Sequence, residues 1–251
     1  MPEGNPDCLR PTAFPAGIGA ASSTRAGGVS TGRYTSLNLG MHVGDDAACV
    51  AENRKRLGQF LSLPAEPRWL EQVHGTRVIG CPSEAPAVPP RADAAVSRES
   101  GVVLAVMTAD CLPVLLAARD GTVVGVAHAG WRGLAAGVIE ATLAAMRVEP
   151  TEAIAWLGPA IGPAHYEVGS EVREAFTGSP GADAGFVPAA RAGHWHCNLG
   201  ALARARLVAA GVGSISGGDR DTFAEPGRFF SWRRDGETGR MASLIWLASP
   251  T

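Results

Sequence analysis

A chain of 251 residues, 46% of them hydrophobic, is long enough to bury a substantial core within one domain. The formal net charge is -2, and the basic residues, nearly all arginines, form no block, which argues against a nucleic-acid-binding protein. No apolar run reaches the roughly 18 to 20 residues that span a bilayer, and the first residues lack a signal-peptide pattern, so we expect a cytoplasmic protein without a membrane partner.

Apolar segments of strand length alternate with a few helical patterns along the chain. Continuous apolar runs of this kind are typical of sheets that are covered on both faces. A proline-rich segment, CPSEAPAVPPRADA, predicts an exposed loop within one domain because its prolines, at 82, 86, 89 and 90, exclude regular structure. The predicted strands are 77–80, 102–108, 113–118, 122–128, 153–158, 228–234 and 241–248.

Three segments have the periodicity of amphipathic helices. The first, 134–147, begins shortly after His128, and the second covers about 166–177. The third follows Asn198, a favourable N-cap residue, and ends at Gly211. No glycine-rich dinucleotide fingerprint is present, so the mixture of strands and helices predicts an α+β fold with mixed sheets.

Two potential metal ligands follow predicted strands in the centre of the chain. Cys111 lies in the turn TADC between two apolar runs, and His128 ends the run TVVGVAH. His74, in EQVHG, is a third candidate, since it too precedes glycine and a strand. A Cys-His-His set leaves one tetrahedral position open, as catalytic zinc sites do. The wide spacing matches no local metal finger, and Cys111 taken alone is more typical of a buried structural thiol.

A second cluster of potential ligands is found in GHWHC. The cluster contains His194, His196 and Cys197, and an H-x-H pair on a strand would direct both imidazoles to one face. The helix predicted after Asn198 favours a surface loop here instead. We therefore expect this segment to be a minor candidate for metal binding.

Several motifs occur in an order that identifies a family resemblance. They are LNLGMHVGDD, EQVHG, TADCLPVLL, HAGWRG, GPAIGP and FFSWRRDGETGRMASLIWL, and they extend from about residue 13 to residue 248. Together they resemble a bacterial family first described as laccase-like multicopper polyphenol oxidases. Its members are now described as metal-dependent purine nucleoside phosphorylases that also have adenosine deaminase and methylthioadenosine phosphorylase activities.

The resemblance implies a single-domain αββα-type sandwich with mixed sheets. It also implies that His74, Cys111 and His128 bind a metal, Zn²⁺ or alternatively Cu²⁺, and that the substrates are purine nucleosides and phosphate. The glycines of HAGWRG would let the backbone turn closely around this site. Other members often carry cysteines where this chain has Ala160, Ala164 and Asp221, so those cysteines are not required for chemistry here.

A phosphorolytic site also needs groups that bind phosphate and the nucleoside. Arginine grips phosphate oxygens bidentately, and Arg132 is the leading candidate because it follows His128 by four residues. With Cys111 and His128 it forms the predicted catalytic set. The further substrate-binding candidates are Arg25 and Arg233 for phosphate and Asn38 and Asp93 for the ribose hydroxyls or the base.

Three other functions remain open from the residues alone. A Cys-His-His set also resembles a blue-copper centre, but a four-copper oxidase needs a histidine-rich trinuclear cluster as well, and the chain has only six histidines. Cys111 could instead be the nucleophile of a hydrolase with His128 as its base. A metal with a purely structural role is disfavoured by the open ligand position.

Overall fold

The computed structural model describes residues 4–82, 84 and 88–248. Within these residues, thirteen strands and seven α-helices are found. The strands are β1 (Cys8–Leu9), β2 (Ile18–Ser23), β3 (Val78–Gly80), β4 (Ala94–Ser97), β5 (Val103–Thr108), β6 (Leu112–Ala118), β7 (Val124–Ala129), β8 (Ala153–Leu157), β9 (Glu167–Gly169), β10 (Phe186–Pro188), β11 (His194–Cys197), β12 (Ser214–Gly217) and β13 (Met241–Leu247). The helices are α1 (Ala47–Leu61), α2 (Trp131–Ala136), α3 (Val138–Met146), α4 (Ser170–Glu174), α5 (Ala182–Gly185), α6 (Leu199–Ala209) and α7 (Trp232–Asp235).

Two large sheets form the centre of the fold. One has four antiparallel strands in the order β1-β2-β13-β5. The other has six strands in the order β12-β8-β6-β7-β4-β3, and its two outer pairs are parallel while the inner pairs are antiparallel. A small antiparallel sheet, β10-β11-β9, lies apart from both. The prediction of mixed sheets in an α+β fold is confirmed.

The side chains of β5 show how the layers stack. Leu104 and Val106 pack between the two large sheets, against side chains such as Leu115 and Val126 of the six-stranded sheet. The alternate residues of β5, with Leu57 of α1, form the core on the other face of the four-stranded sheet. Helices α3 and α6 cover the outer face of the six-stranded sheet. The layers are therefore helix, sheet, sheet, helix, which agrees with the expected αββα sandwich and with strands that are apolar on both faces.

Six of the seven predicted strands are present within a residue or two of their predicted limits. The exception is 228–234, where the structure has coil followed by the short helix α7. Phe229 and Phe230 are fully buried, which explains the apolar signal, but Ser231 accepts a hydrogen bond from the Arg234 N–H and caps a helix. Gly236, with φ of 67°, ends it. The strand prediction for this segment was wrong.

The helices agree less closely with the predictions. The predicted helix 134–147 is divided into α2 and α3 at Gly137, whose φ of 97° cannot continue a right-handed helix. The segment 166–177 begins as strand β9, and only α4 is helical in it. The helix after Asn198 is confirmed as α6, with Asn198 accepting the Ala201 N–H. The fifteen residues of α1, capped by Asp46, were not predicted.

Two further expectations concern loops and membranes. Residues 83 and 85–87 of the proline-rich segment, and with them Pro86, lie outside the described residues. Its described part has no strand or helix between β3 and β4. No helix in the described part of the chain is both long and apolar enough to cross a bilayer.

Candidate metal centre

The three predicted ligands lie together at one edge of the sandwich. Cys111 is in the turn between β5 and β6, and His128 is in β7. Because β6 and β7 pair with Pro113 opposite His128, the strand register brings the Cys111 turn next to the histidine. His74 lies in the loop that precedes β3. The structure thus brings together residues that are far apart in the sequence.

The ligand atoms of the three side chains all lie within 4.8 Å of one another. Cys111 Sγ is 3.9 Å from His74 Nε2, and the two imidazole rings meet edge to face with their centroids 4.8 Å apart. Donor atoms around a tetrahedral zinc are separated by about 3.3 to 3.8 Å, so small side-chain movements would close the set around an ion. His128 is buried, Cys111 is partly buried and His74 is exposed. An ion held here would keep a side open to solvent, and the donor set fits a metal.

Asp93 organises two of the three ligands. Its Oδ1 lies 2.8 Å from His128 Nδ1 and accepts the backbone N–H of His74, while Oδ2 accepts those of Val73 and Gly75. The carboxylate is fully buried. With Nδ1 bound to a carboxylate, His128 presents Nε2 to the ligand set, which is the arrangement that fixes tautomer and orientation in many metal sites.

The backbone is held in unusual conformations beside both turn ligands. His74 has φ of 60° and Asp110 has φ of 92°, values that are rare for residues other than glycine. The three N–H bonds to Asp93 stabilise the His74 turn. The Asp110 turn is stabilised by the hydroxyl of Thr222 at 2.6 Å and by the backbone N–H of Arg233 at 2.7 Å, both donated to the Asp110 carboxylate. Each strained turn is therefore held by several polar contacts.

The two glycines of HAGWRG make room at the site. A Cβ at Gly130 would lie 2.9 Å from His74 Cδ2 and 3.0 Å from Cys111 Sγ. A Cβ at Gly133 would lie 2.8 Å from the Gly75 carbonyl oxygen. All three distances are shorter than ordinary Cβ contacts, so these positions need glycine for close approach of the backbone.

The electrostatics favour a thiolate beside a charged imidazole. Burial opposes ionisation of Cys111, but the charge of His128 and hydrogen bonds from His128 and His74 outweigh it and lower the Cys111 pKa to about 6. Burial would lower the pKa of His128, but the Cys111 thiolate and Asp93 raise it instead. A thiolate is the form of cysteine that binds metals and attacks electrophiles.

The three predicted phosphate arginines differ in how their guanidinium groups are used. Arg132 is the second residue of α2 and is exposed, with its guanidinium 4.3 Å from the Trp131 ring centroid. Arg25 donates to the carbonyl oxygens of Thr35 and Pro226 and lies over the Phe230 ring. Arg233 donates to the Glu167 carbonyl oxygen. Arg132 is thus the most available of the three for a ligand.

The two predicted nucleoside-binding side chains are both buried. Asn38 has no exposed surface, and its amide bonds to Gly40, to Asp45 and to the backbone N–H of Arg240. Asp93 uses both oxygens on His128 and the His74 turn, as described above. In this conformation both side chains support the loops around the site instead of facing solvent.

The GHWHC segment does not join the metal centre. His194 and Cys197 are the ends of strand β11, so the expectation of a surface loop was wrong. The strand forms because it pairs with β10 and β9 on its two sides. His196 Nδ1 lies 3.1 Å from the Pro163 carbonyl oxygen. Within the described residues, only His74, Cys111 and His128 form a cluster of potential metal ligands.

Sequence reasoning missed two polar features near the site. Asp221 accepts the N–H groups of Gly162, Phe223 and Ala224 and pairs with His165 Nδ1 at 2.7 Å. No local sequence motif indicates the pairing of Asp221 with His165, because the two residues are far apart in the sequence. The second is Arg240, which precedes β13 and lies inside the motif GRMASLIWL. Within the longer motif FFSWRRDGETGRMASLIWL, only Arg233 was predicted to bind a substrate.

A cleft of about 830 Å³ opens away from the metal centre. Its lining includes Arg68, Trp69 and Pro90. Arg68 bridges to Leu104 near the start of β5, whereas the Cys111 turn follows the end of the same strand. The cleft and the three ligands are therefore at opposite ends of β5.

Comparison with known proteins gives a consistent set of similarities. A family model described as multi-copper polyphenol oxidoreductase laccase matches residues 19–248. The purine nucleoside phosphorylase YfiH of Escherichia coli strain K12 is 54% identical over 234 residues, which cover 93% of this chain and 95% of that protein. The purine nucleoside phosphorylase PA4543 of Pseudomonas aeruginosa is 50% identical with the same coverage.

Solved structures share the fold. The crystal structure of Neisseria meningitidis protein NMB0706 superposes with a TM-score of 0.92 at 48% identity and covers 98% of this chain and 100% of that one. YlmD from Geobacillus stearothermophilus gives a TM-score of 0.89 at 35% identity, with 96% of each chain covered. The order of elements described above is thus that of a fold already seen in crystals.

Proposed function

The chain belongs to the multi-copper polyphenol oxidoreductase laccase family, and we propose that it is a metal-dependent purine nucleoside phosphorylase. The proposed substrates are adenosine, inosine and methylthioadenosine with phosphate, and adenosine deamination is proposed as a second activity of the same site. The relatives named purine nucleoside phosphorylase support the main activity.

The observation that carries the proposal is the open cluster of His74, Cys111 and His128. Three donors of the types that zinc prefers lie within 4.8 Å of one another, and one of them is exposed. We propose Zn²⁺ as the ion and Cu²⁺ as the alternative. When bound, the ion would supply a Lewis acid at the open position.

The residues of this chain would position that chemistry. Asp93 holds His128 with Nε2 toward the ligand set and also orders the His74 turn. Arg132, exposed at the start of α2, would contact phosphate, which a guanidinium binds through paired donors. Arg25 and Arg233 are further proposed substrate contacts. His128 is buried and His74 is exposed, so a substrate would approach from the side of His74.

The test is product analysis on purified protein of known metal content. Adenosine, inosine and methylthioadenosine are each incubated with and without phosphate, and the products are separated. Free base that appears only with phosphate is the expected result, and inosine formed from adenosine without phosphate would identify deamination. Full activity after complete removal of the metal would contradict the proposed mechanism.

A second candidate function rests on a specific contact pattern. Cys111, His128 and Asp93 follow one another as thiol, imidazole and carboxylate, the order found in cysteine hydrolases. In that function Cys111 would be the nucleophile and His128 its base. His74, 3.9 Å from the thiol, would have no part in such a triad.

Substitution of His74 separates the two functions. If the three residues are ligands, His74→Ala and Cys111→Ser should lower bound metal and activity together, since loss of one ligand of three weakens the site greatly. If Cys111 is a nucleophile, His74→Ala should retain most activity and Cys111 should still be alkylated. Metal content measured beside activity decides between them.

Phenol oxidation is a third activity to be tested, because the family description includes it. A four-copper oxidase needs a histidine-rich trinuclear cluster in addition to a blue-copper site. The described residues contain no second cluster of ligands. We therefore expect only weak phenol oxidation, and only in copper-loaded protein.

A further inference from the structure

Arg240 lies beside the turn that presents Cys111. It directly precedes β13, whose first residue, Met241, pairs with Thr108 at the end of β5. Asp110 and Cys111 follow β5 at once. The backbone of Arg240 is fixed on its other side, because its N–H donates to Asn38 Oδ1 and its carbonyl oxygen accepts the Leu39 N–H. The position of Arg240 relative to the metal ligands is therefore set by strand pairing and not by a free loop.

The guanidinium of Arg240 has one occupied end and one unoccupied edge. Nη1 donates to the carbonyl oxygens of Thr238 and Gly239 at 2.9 and 3.0 Å. Nε and Nη2 donate to no residue in the described part of the chain. These two nitrogens form one edge of the planar group, and that edge binds two oxygens of one anion side by side. Arg54 uses the same edge on the Leu39 carbonyl oxygen, which shows how such donors are normally satisfied.

The charge of Arg240 is also left without a direct partner. Across residues 4–82, 84 and 88–248, no carboxylate lies within ion-pair distance of it. Asp110 is near, but its two oxygens accept from Thr222 and from the Arg233 N–H. The side chain is partly buried. A partly buried guanidinium without a carboxylate partner is free to bind an anion that reaches it from solvent.

Two neighbouring groups form part of the surroundings of the Arg240 side chain. His42 lies close enough to Arg240 and Arg54 that burial and both arginines lower its pKa. The Trp232 ring centroid is 5.6 Å from the Arg240 guanidinium carbon, and Trp232 is 55% exposed. The Arg240 side chain thus has the exposed Trp232 ring near it and is close enough to Cys111 and Asp110 to interact with their charges.

We propose that the Nε and Nη2 edge of Arg240 binds inorganic phosphate beside the metal ligands, as a contact additional to Arg132. The proposal rests on the phosphorylase function proposed above, since that reaction brings phosphate to this centre. A tetrahedral oxyanion supplies two oxygens in the spacing that the edge requires. The bound phosphate would lie on the side of the site formed by β13.

Titration calorimetry with inorganic phosphate tests the proposal on metal-loaded protein. Arg240→Gln should weaken phosphate binding about 10- to 100-fold, because it removes a bidentate, charge-assisted contact. Arg240→Lys keeps the charge but not the fork, and we expect about a tenfold loss. Arg56→Gln, which removes an exposed arginine paired with Glu52 on α1, is the control and should bind phosphate as the wild type does.

The lysine variant also covers the risk that loss of the Nη1 bonds to Thr238 and Gly239 unfolds the glutamine variant. Unfolding curves and metal content establish which variants are intact. Phosphate affinity unchanged in intact Arg240→Lys would overturn the proposal. If the wild type releases free base with phosphate while the Arg240 variants bind phosphate normally, only the Arg240 assignment is wrong. If the wild type neither binds phosphate nor uses it, the phosphorylase function itself is wrong and this proposal with it.

Discussion

Replacing Asp93 with asparagine should damage both the fold and the metal centre. The carboxylate accepts four donors, namely His128 Nδ1 and three consecutive backbone N–H groups of the His74 turn. An asparagine side chain has a single acceptor oxygen and two donor hydrogens. It can serve about two of the four donors, and its own N–H groups would face the others. The substitution keeps shape and volume while removing charge and acceptors.

The structure allows the cost to be estimated. A hydrogen bond to a charged group contributes about 1.5 to 3 kcal/mol, and two are lost at a fully buried position. We therefore expect Asp93→Asn to lower the free energy of unfolding by about 3 to 6 kcal/mol, a large part of the 5 to 15 kcal/mol typical of a domain. Loss of the partner of a liganding histidine should also weaken metal binding about 10- to 100-fold.

Asp221→Asn is a matched control for this substitution. Asp221 also accepts three backbone N–H groups and one histidine Nδ1, but its histidine, His165, is not part of the ligand cluster. Its side chain is 23% exposed, so water can replace part of what is lost. Urea unfolding of the metal-free proteins and competition with a chelator measure the two effects. Metal affinity equal in Asp93→Asn and Asp221→Asn would refute the role given to Asp93.

The pH dependence of stability gives an independent check. Burial alone would raise the pKa of Asp93, but the bonds from His128 and from the Gly75 N–H outweigh it, and the pKa lies below its ordinary value. The ionised carboxylate therefore stabilises the folded chain at neutral pH, and this contribution is lost as the pH falls below about 4. The stability of Asp93→Asn should change less than that of the wild type over this acidic range.

Two further outcomes follow from the same geometry. In metal-free protein, iodoacetamide should modify Cys111 at pH values below about 8.5, where an ordinary thiol reacts slowly. Cys8 and Cys197 should resist modification, because burial raises the pKa of each thiol to about 12. Peptide mass spectrometry identifies the modified cysteine, and bound metal should block the reaction; equal labelling of all three would contradict the electrostatic description. Gly130→Ala should weaken metal binding because its Cβ would press on His74 and Cys111, whereas Gly58→Ala, in an open position on α1, should retain wild-type metal affinity and raise stability by up to about 1 kcal/mol. If the metal affinity of Gly130→Ala is unchanged, the backbone at this position can move enough to accommodate the Cβ, and glycine is not required there.

The elements that sequence patterns predicted well are those whose burial is uniform. Strands β5, β6 and β7 are buried on both faces, so a short apolar run was a sufficient signal. Helix α1 was missed because its sequence, AACVAENRKRLGQFL, is polar on average. One of the residues on its buried face is a polar residue, Asn53. Asn53 bonds to Ser30 and to the carbonyl oxygens of Ser36 and Asn38, contacts that only tertiary structure reveals. The strand prediction for 228–234 was wrong for the converse reason, since its phenylalanines are buried without being part of a strand.

The three potential ligands could be identified from the sequence, but their supporting residues could not. Cys111 and His128 follow apolar runs, and His74 lies in a short motif, so each has a local signal. Asp93 was predicted as a substrate contact, and nothing in RADA indicates that its carboxylate also binds His128 and the His74 turn. The unused edge of Arg240 depends on strand pairing between β13 and β5. Such roles arise from contacts between distant segments, which a local pattern does not contain.

The two aspartate–histidine pairs show why local motifs are insufficient for assigning chemistry. Asp93 with His128 and Asp221 with His165 have nearly the same hydrogen bonds. What differs is the surroundings of each imidazole. His165 stacks on the Phe223 ring, with centroids 4.5 Å apart, whereas His128 meets Cys111 and His74. The three potential ligands come together because the strand register sets Pro113 opposite His128 and because hydrogen bonds fix the His74 turn to Asp93. A shift of one residue along β7 would turn His128 to the other face of the sheet, away from Asp93, Cys111 and His74. The candidate metal centre therefore depends on the pairing of β6 with β7, and substitutions that disturb this pairing should abolish metal binding even where all three ligands are retained.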